Sequence, residues 1–156
     1  MENIRGTISL LLLLVSVIGI SSYFLFKDKI NLLDVDHSAV DWNGKKQKDT
    51  SGEENTIAIP GFEKVTLYAN ETTQAVNFHN PEINDCYFKI SLIHPDGSVL
   101  WISDLIEPGK GMYSIELEKT LAVGEYENAV LKYECFSLND QSPLNGSEIN
   151  LKLVVV

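Results

Sequence analysis

The chain has 156 residues, of which 12 are basic and 22 acidic, so that its formal net charge is −10. This length suits one domain of ordinary size with a short extension. The acidic balance argues against a nucleic-acid partner, since a polyanion is bound by a basic face. The two cysteines are too few for a disulfide-dense mini-protein or a four-cysteine zinc site.

The N-terminal part of the chain is strongly apolar. Residues 6–26 contain no charge, and a helix of this length spans about 31 Å, the thickness of the hydrocarbon core. We predict that residues 1–26 form a transmembrane signal-anchor helix that contacts membrane lipid through residues 6–26. The alternative is a signal peptide cleaved near Ser21, but the apolar run continues to Phe26, which favours an uncleaved anchor. The predicted location is the cell membrane, single-pass, with the C-terminal domain extracellular.

Residues 27–55 are predicted to form a flexible charged tether. Their second half is dense in charged and small polar residues, a composition that buries too little surface to offset chain entropy. The first half holds a few apolar residues, including Val40 and Trp42. Either a short helix continuing from the membrane or loose interfacial contact is compatible with them.

From Thr56 the sequence consists of short alternating runs separated by turn residues. This pattern predicts an all-β fold for residues 56–156, an immunoglobulin-like antiparallel β-sandwich preceded by the transmembrane helix. In the fourth run, alternation points Phe88, Ile90 and Leu92 inward; in the sixth it points Tyr113 inward. The predicted strands are Thr56–Ile59, Lys64–Ala69, Ala75–His79, Cys86–Ile93, Val99–Ser103, Met112–Glu118, Tyr126–Phe136 and Ile149–Val155.

Two finer features favour this sandwich. Gly124 and Tyr126 have the spacing of a tyrosine corner, in which the Tyr hydroxyl bonds the backbone of the turn before strand F, here Tyr126–Phe136.

Cys86 opens the predicted strand C, Cys86–Ile93, and Cys135 closes strand F, and both point inward. Since C and F are antiparallel neighbours, we predict a Cys86–Cys135 disulfide, worth about 4 kcal/mol by loop closure. An oxidising location supports it; the alternative is two buried thiols.

No motif for catalysis stands out. There is no Gly-x-Ser-x-Gly sequence, and His37, His79 and His94 lie in the tether, at a strand end and in a turn. The acidic run around Asp36 is of a kind that is usually just solvated. We therefore predict no catalytic, cofactor-binding or metal-binding residues, no cofactor and no enzymatic activity.

A binding loop is the best candidate for a functional site. The segment between the predicted strand F and the last predicted strand, G (Ile149–Val155), is rich in amides and turn formers, and Cys135 lies at its base. Loops of this kind often carry binding in sandwich domains, although an ordinary hairpin connection has the same composition. The candidate residues are Asn139, Asp140, Gln141 and Asn145.

Four motifs carry a resemblance to a known family. They are IAIPGFEKVTLYA, VNFHNPEINDCYFKISL, DGSVLWISDLIEPGK and YENAVLKYECFSLNDQSPLNG. With them the chain resembles a family of small membrane-anchored surface proteins of Gram-positive bacteria, often linked to conjugative elements, for which no activity is established. Members sometimes carry a name taken from tRNA (uracil-5-)-methyltransferase. Nothing in this sequence supports that name, because it has no cofactor-binding fold and no basic RNA-binding face.

These features predict a membrane-anchored extracellular interaction or accessory module of the bacterial cell envelope, serving conjugation or attachment. Its expected partner is an unknown protein or a wall polymer, with no nucleic acid. Two alternatives stay open: an enzyme acting on envelope components, and a secreted inhibitor or chaperone-like sandwich released by signal-peptide cleavage.

Overall fold

The computed structural model describes residues 32–44 and 56–156. A compact unit runs from Leu33 to Val156. The predicted transmembrane segment, residues 6–26, lies outside the described residues. Within the described ranges, no helix has the length and apolar character needed to cross a membrane.

The described residues form an all-β fold, which confirms the predicted fold class at that level. They contain two sheets, a five-stranded one in the order β2-β8-β7-β4-β5 and a three-stranded one in the order β1-β6-β3. The strands are β1 (Val40–Asp41), β2 (Lys64–Leu67), β3 (Thr73–His79), β4 (Cys86–Ile93), β5 (Val99–Ile102), β6 (Lys110–Glu116), β7 (Gly124–Ser137) and β8 (Pro143–Val155).

The centre of the larger sheet is the antiparallel pair of β4 and β7. The pairing is regular from Cys86 opposite Ser137 to Ile93 opposite Val130, as the sequence predicts for strands C and F. At one edge of this sheet β2 runs parallel to β8. Parallel neighbours cannot be joined by a hairpin, and here the rest of the domain lies between the two strands in sequence.

One apolar core is shared by the two sheets. The inward residues predicted for β4 and β7 are buried, and Phe88, Ile90 and Leu92 have no exposed surface. The smaller sheet adds Phe78, whose ring lies 5.8 Å from that of Trp101 in β5. Apolar residues at every second position of both facing sheets therefore remove one continuous surface from water, the main favourable term in folding.

The alternation rule fails in β6. Tyr113 was expected inward, but it is exposed, whereas Met112 and Ile115 are buried. The pairing of β3 with β6 shifts register between Ala75 and Phe78, opposite this point. Such an irregularity breaks the two-residue period of side-chain direction, and the prediction for Tyr113 is wrong for this reason.

Most of the predicted strand bounds hold to within two residues, but two predictions differ more from the structure. Residues 56–59 are not a strand, and β8 begins at Pro143 rather than at Ile149. The segment at 56–59 is held by a side chain instead. Asn84 accepts a hydrogen bond from the Ala58 N–H at 2.8 Å and donates to the Ala58 carbonyl at 3.0 Å.

Residues 33–44, which composition assigns to the tether, belong to the compact unit. We call this segment the strap. It contains β1, which pairs with the start of β6 through Val40 opposite Gly111 and Asp41 opposite Lys110. Earlier in the strap, Val35 forms a parallel bridge with Leu105. The domain therefore begins at residue 33 rather than at residue 56, and the strap is extended rather than helical.

Candidate functional site

The predicted binding loop is a short turn between β7 and β8, and its residues are largely occupied by the turn itself. Asp140 accepts a hydrogen bond from the Ser142 N–H at 3.1 Å. Hydrogen bonds from the backbone and hydroxyl of Ser142 lower the pKa of the Asp140 carboxyl. Asn139 and Asp140 are exposed at the tip, whereas Asn145 lies in β8, outside the turn. The structure thus places three of the four predicted residues in one turn and the fourth, Asn145, in the adjoining strand.

Gln141 has a structural role that the sequence did not indicate. Its side-chain oxygen accepts from the Leu33 N–H at 2.6 Å, and its side-chain nitrogen donates to the Leu33 carbonyl at 3.0 Å. The backbone of Gln141 is left-handed, with φ of 55°. The amide therefore binds the strap backbone much as a neighbouring β-strand would.

An open groove lies beside the predicted loop, along the β7–β8 hairpin. Its volume is about 390 Å³. The lining combines apolar side chains such as Phe136 and Leu144 with charged ones such as Lys132 and Glu134. Leu144 is 43% exposed, and Lys132 pairs with Glu134 at 3.6 Å. The groove offers apolar contact flanked by charges of both signs.

The shape of this groove depends on a β-bulge. The pairing of β7 with β8 shifts register between Tyr133 and Cys135, so that Ser147 and Leu144 are the partners on either side. At this point Gly146 passes so close to the Tyr133 carbonyl that a Cβ atom would collide with it. Glycine is required here because the two backbones approach each other closely.

Both cysteines belong to the buried core, and Cys135 also lines the groove. Both are buried, and the structure contains them as free thiols rather than as the predicted disulfide. Cys86 pairs with Ser137 and Cys135 pairs with Phe88, so the two cysteines are diagonal neighbours. Diagonal positions are about 7–8 Å apart, at or beyond the reach of a disulfide without backbone movement. Alternation along the strands determines that both side chains point inward, but it does not determine this two-residue offset.

Each thiol affects the ionisation of the other. Interaction with Cys86, together with burial, raises the pKa of Cys135 well above that of a free thiol. Interaction with Cys135 lowers the pKa of Cys86. Since the thiolate is the reactive form, the buried and protonated Cys135 is a poor nucleophile at neutral pH.

The predicted tyrosine corner has the hydrogen bond that such a corner requires. The Tyr126 hydroxyl donates to the Ala122 carbonyl at 2.9 Å. Gly124 opens β7, and a Cβ there would meet the Tyr126 ring at 3.5 Å, an ordinary contact distance. The bond therefore fixes the turn that leads from β6 into β7.

A second site, which the sequence did not predict, is formed where the strap crosses the smaller sheet. The Trp42 indole stacks on His79, with ring centroids 3.8 Å apart and planes 8° from parallel. Its N–H donates to the Asn77 side-chain oxygen at 2.8 Å. Next along the strap, the Asn43 N–H donates to the Tyr113 hydroxyl at 3.0 Å. We call the residues that receive the strap, Asn77, His79, Tyr113 and Gln141, the strap slot.

His79 is a buried polar side chain in this slot. It is 4% exposed, and its Nδ1 atom has no hydrogen-bond partner among the described residues. Burial lowers the pKa of His79 below its ordinary value of 6.5, because the charged imidazolium is poorly solvated there. A backbone hydrogen bond at Asn77 opposes this shift without cancelling it. The ring is therefore a neutral platform for Trp42 at neutral pH.

A weak sequence signal for the slot existed. Trp42 is a large aromatic residue in an otherwise polar segment, and such residues usually bury their surface against something. Its partners were not identifiable, because Asn77 and His79 lie more than thirty positions away in sequence. The strand that aligns them is only two residues long.

Charge is distributed unevenly along the chain. Residues 32–44 and 56–156 hold 6 lysines against 17 Asp and Glu, a net charge of −11 with His neutral. Within these ranges, no three His, Cys, Asp or Glu side chains gather where they would hold a metal ion. The surface of the domain is thus strongly acidic.

No family model, curated protein or solved structure matches the chain.

Proposed function

We propose that the protein is a membrane-anchored interaction module of the bacterial cell envelope, held by residues 6–26 with its acidic domain outside the cell. The uncharged length of residues 6–26 supports the anchor. The resemblance to anchored surface proteins of Gram-positive bacteria supports the location and a role in conjugation or attachment. The partner is a protein or a wall polymer.

The domain of this module is an immunoglobulin-like sandwich. The order β2-β8-β7-β4-β5 corresponds to strands A′, G, F, C and C′ of such a domain, and β3 with β6 corresponds to B and E. The Tyr126 hydrogen bond at the turn before β7 supports the same assignment. Strap strand β1 occupies the side of β6 where strand D lies in this architecture.

The observation that carries the proposal is the open groove beside the β7–β8 turn. Binding surfaces in sandwich domains are commonly formed by loops and the strand ends next to them. Exposed Leu144 and half-buried Phe136 give the groove apolar contact area, and Lys132 and Glu134 flank it. With a net charge of −11, the described part of the chain favours a neutral or basic partner.

Site-specific photocrosslinking in intact cells tests the proposal. A photoreactive amino acid replaces Leu144 in the groove of the full-length protein. The matched control replaces Tyr68, which is 54% exposed and follows Leu67, the partner of Val155 at the far end of β8. We expect one discrete crosslinked species from position 144 and none of that size from position 68.

Two further measurements make this experiment decisive. The first is a double variant, Lys132→Glu with Glu134→Lys, which exchanges the two charges. It keeps an ion pair but alters the electrostatic potential of the groove, and should lower the crosslinking yield from position 144. Protease added outside intact cells should digest the domain. Equal crosslinking from positions 144 and 68 would contradict the groove as the site, and a protected domain would contradict the extracellular location.

A further inference from the structure

The strap is bound as a peptide-recognition domain binds a ligand. Backbone hydrogen bonds join it to the body on several levels, including Asp36 N–H to the Leu105 carbonyl at 2.8 Å and Trp42 N–H to the Gly109 carbonyl at 2.9 Å. The Trp42 side chain fills a place formed by His79 and Asn77. In peptide recognition by β-strand addition, backbone hydrogen bonds to a sheet edge provide affinity and a site for a side chain provides specificity. The strap has both kinds of contact.

The body has an edge that needs an occupant at this place. β6 is paired with β3 on one side and with β1 on the other. Without the strap, β6 would present an unpaired strand edge, which templates pairing with another chain. His79 would also lose the stacking partner that covers it. The strap satisfies both requirements, because β1 pairs with β6 and Trp42, directly after β1, stacks on His79.

We propose that the strap of one molecule occupies the strap slot of a second molecule, so that two copies associate by strand exchange. The strap is the segment known to fit, since the slot already holds it. In the exchanged state every strap contact is retained, and only the connection through residues 45–55 passes between molecules. Those residues span at most roughly 36–40 Å when extended, which sets the upper limit on the separation of the two domains.

Concentration decides between the closed and exchanged states. The strap makes the same contacts in the closed monomer and in the exchanged dimer. Its own molecule's strap therefore competes with the strap of a second molecule for the slot, at an effective concentration in the millimolar range. The closed monomer therefore predominates in dilute solution. Exchange becomes significant as the protein concentration approaches the millimolar range, or when the strap of a molecule cannot bind its own slot. This makes paired variants more informative than the wild-type protein alone.

The test uses two full-length variants in detergent micelles. The strap variant carries Asp41→Ala and Trp42→Ala and keeps the slot; the slot variant carries Asn77→Ala and Gln141→Ala and keeps the strap. Light scattering coupled to gel filtration should find each variant monomeric and their mixture dimeric, with at least a tenfold stronger association than either variant alone. Fluorescence of Trp101, which is 8% exposed in the core, verifies that both variants are folded.

Two controls identify what joins the molecules. A slot variant that also carries Trp42→Ala should no longer associate with the strap variant. A synthetic peptide of residues 32–44 should dissociate the mixed dimer, whereas the same peptide with Trp42→Ala should not. A mixture that stays monomeric at millimolar concentration, association that survives the loss of Trp42, or equal competition by both peptides would overturn the proposal.

Discussion

Asn84 offers the sharpest test of how the domain is held together, because it is a polar residue buried in a fold built on apolar alternation. It is 4% exposed, and its side chain takes part in three hydrogen bonds. Ala58 N–H donates to it at 2.8 Å, and its amide donates to the Ala58 carbonyl at 3.0 Å and to Asn80 Oδ1 at 2.9 Å. Asn80 in turn donates to the Cys86 and Ile106 carbonyls. Replacing Asn84 therefore disturbs a network rather than one bond.

The expected cost of Asn84→Ala follows from these contacts. Each lost hydrogen bond contributes about 1 kcal/mol, and a buried polar group without a partner costs about 1–3 kcal/mol. Water that enters the vacated space forms some of the hydrogen bonds that the backbone of Ala58 and the side chain of Asn80 lose. We therefore expect a loss of about 3 kcal/mol in the free energy of unfolding. For a urea m-value of about 2 kcal/mol/M, the midpoint falls by roughly 1.5 M.

Equilibrium unfolding in urea, followed by tryptophan fluorescence, measures this change. The matched control is Asn139→Ala at the exposed tip of the β7–β8 turn, where the free energy of unfolding should change by less than about 0.5 kcal/mol. The m-value should stay constant in both variants, since neither alters the surface exposed on unfolding. A loss below about 1 kcal/mol for Asn84→Ala would refute the view that this network fixes residues 56–59 to the core.

Three further predictions concern the thiols, a glycine and a histidine. Under denaturing conditions without reductant, the protein should react with two equivalents of a thiol reagent, and with far less when folded; a count of zero would contradict the free thiols. Gly146→Ala should destabilise the domain by about 1–3 kcal/mol, because its Cβ collides with the Tyr133 carbonyl, whereas Gly61→Ala, which meets nothing within 4 Å, should not; equal melting temperatures would refute the close approach. Because burial lowers the pKa of His79, the unfolded chain binds more protons below pH 6.5 and stability falls with decreasing pH from there, by up to about 1.4 kcal/mol per unit. Urea midpoints between pH 7.5 and 5.5 should show this slope in wild type and in His37→Gln but not in His79→Gln, and a slope unchanged in His79→Gln would disprove the assignment.

The parts of the fold that follow from local alternation were predictable. β4 and β7 are long and regular, and their inward residues can be identified because each side chain points opposite to the one before it. The His94–Gly97 turn is also as expected, with the Gly97 N–H donating to the His94 carbonyl at 2.8 Å. These features depend on residues close in sequence, where the periodicity is a direct consequence of backbone geometry.

The features that were missed depend on contacts between distant residues. The strap was assigned to a tether because a two-residue strand leaves no periodic signal, and Gln141 gives no sign in sequence that it binds Leu33. The offset of Cys86 from Cys135 depends on the register of β4 and β7, which alternation restricts only to the correct face. Composition alone predicts the candidate loop residues, and composition does not distinguish a turn whose polar groups bond one another from a turn whose polar groups are free to bind a ligand.

The docking of the strap determines where a recombinant fragment of this domain should begin. A fragment that starts at Thr56 would leave the β6 edge unpaired and His79 uncovered, and exposed strand edges promote aggregation. A fragment that starts at or before Leu33 keeps the hydrogen bonds between Gln141 and Leu33 and the stacking of Trp42 on His79. Soluble expression of this domain therefore depends on a segment whose composition, taken alone, would lead it to be removed.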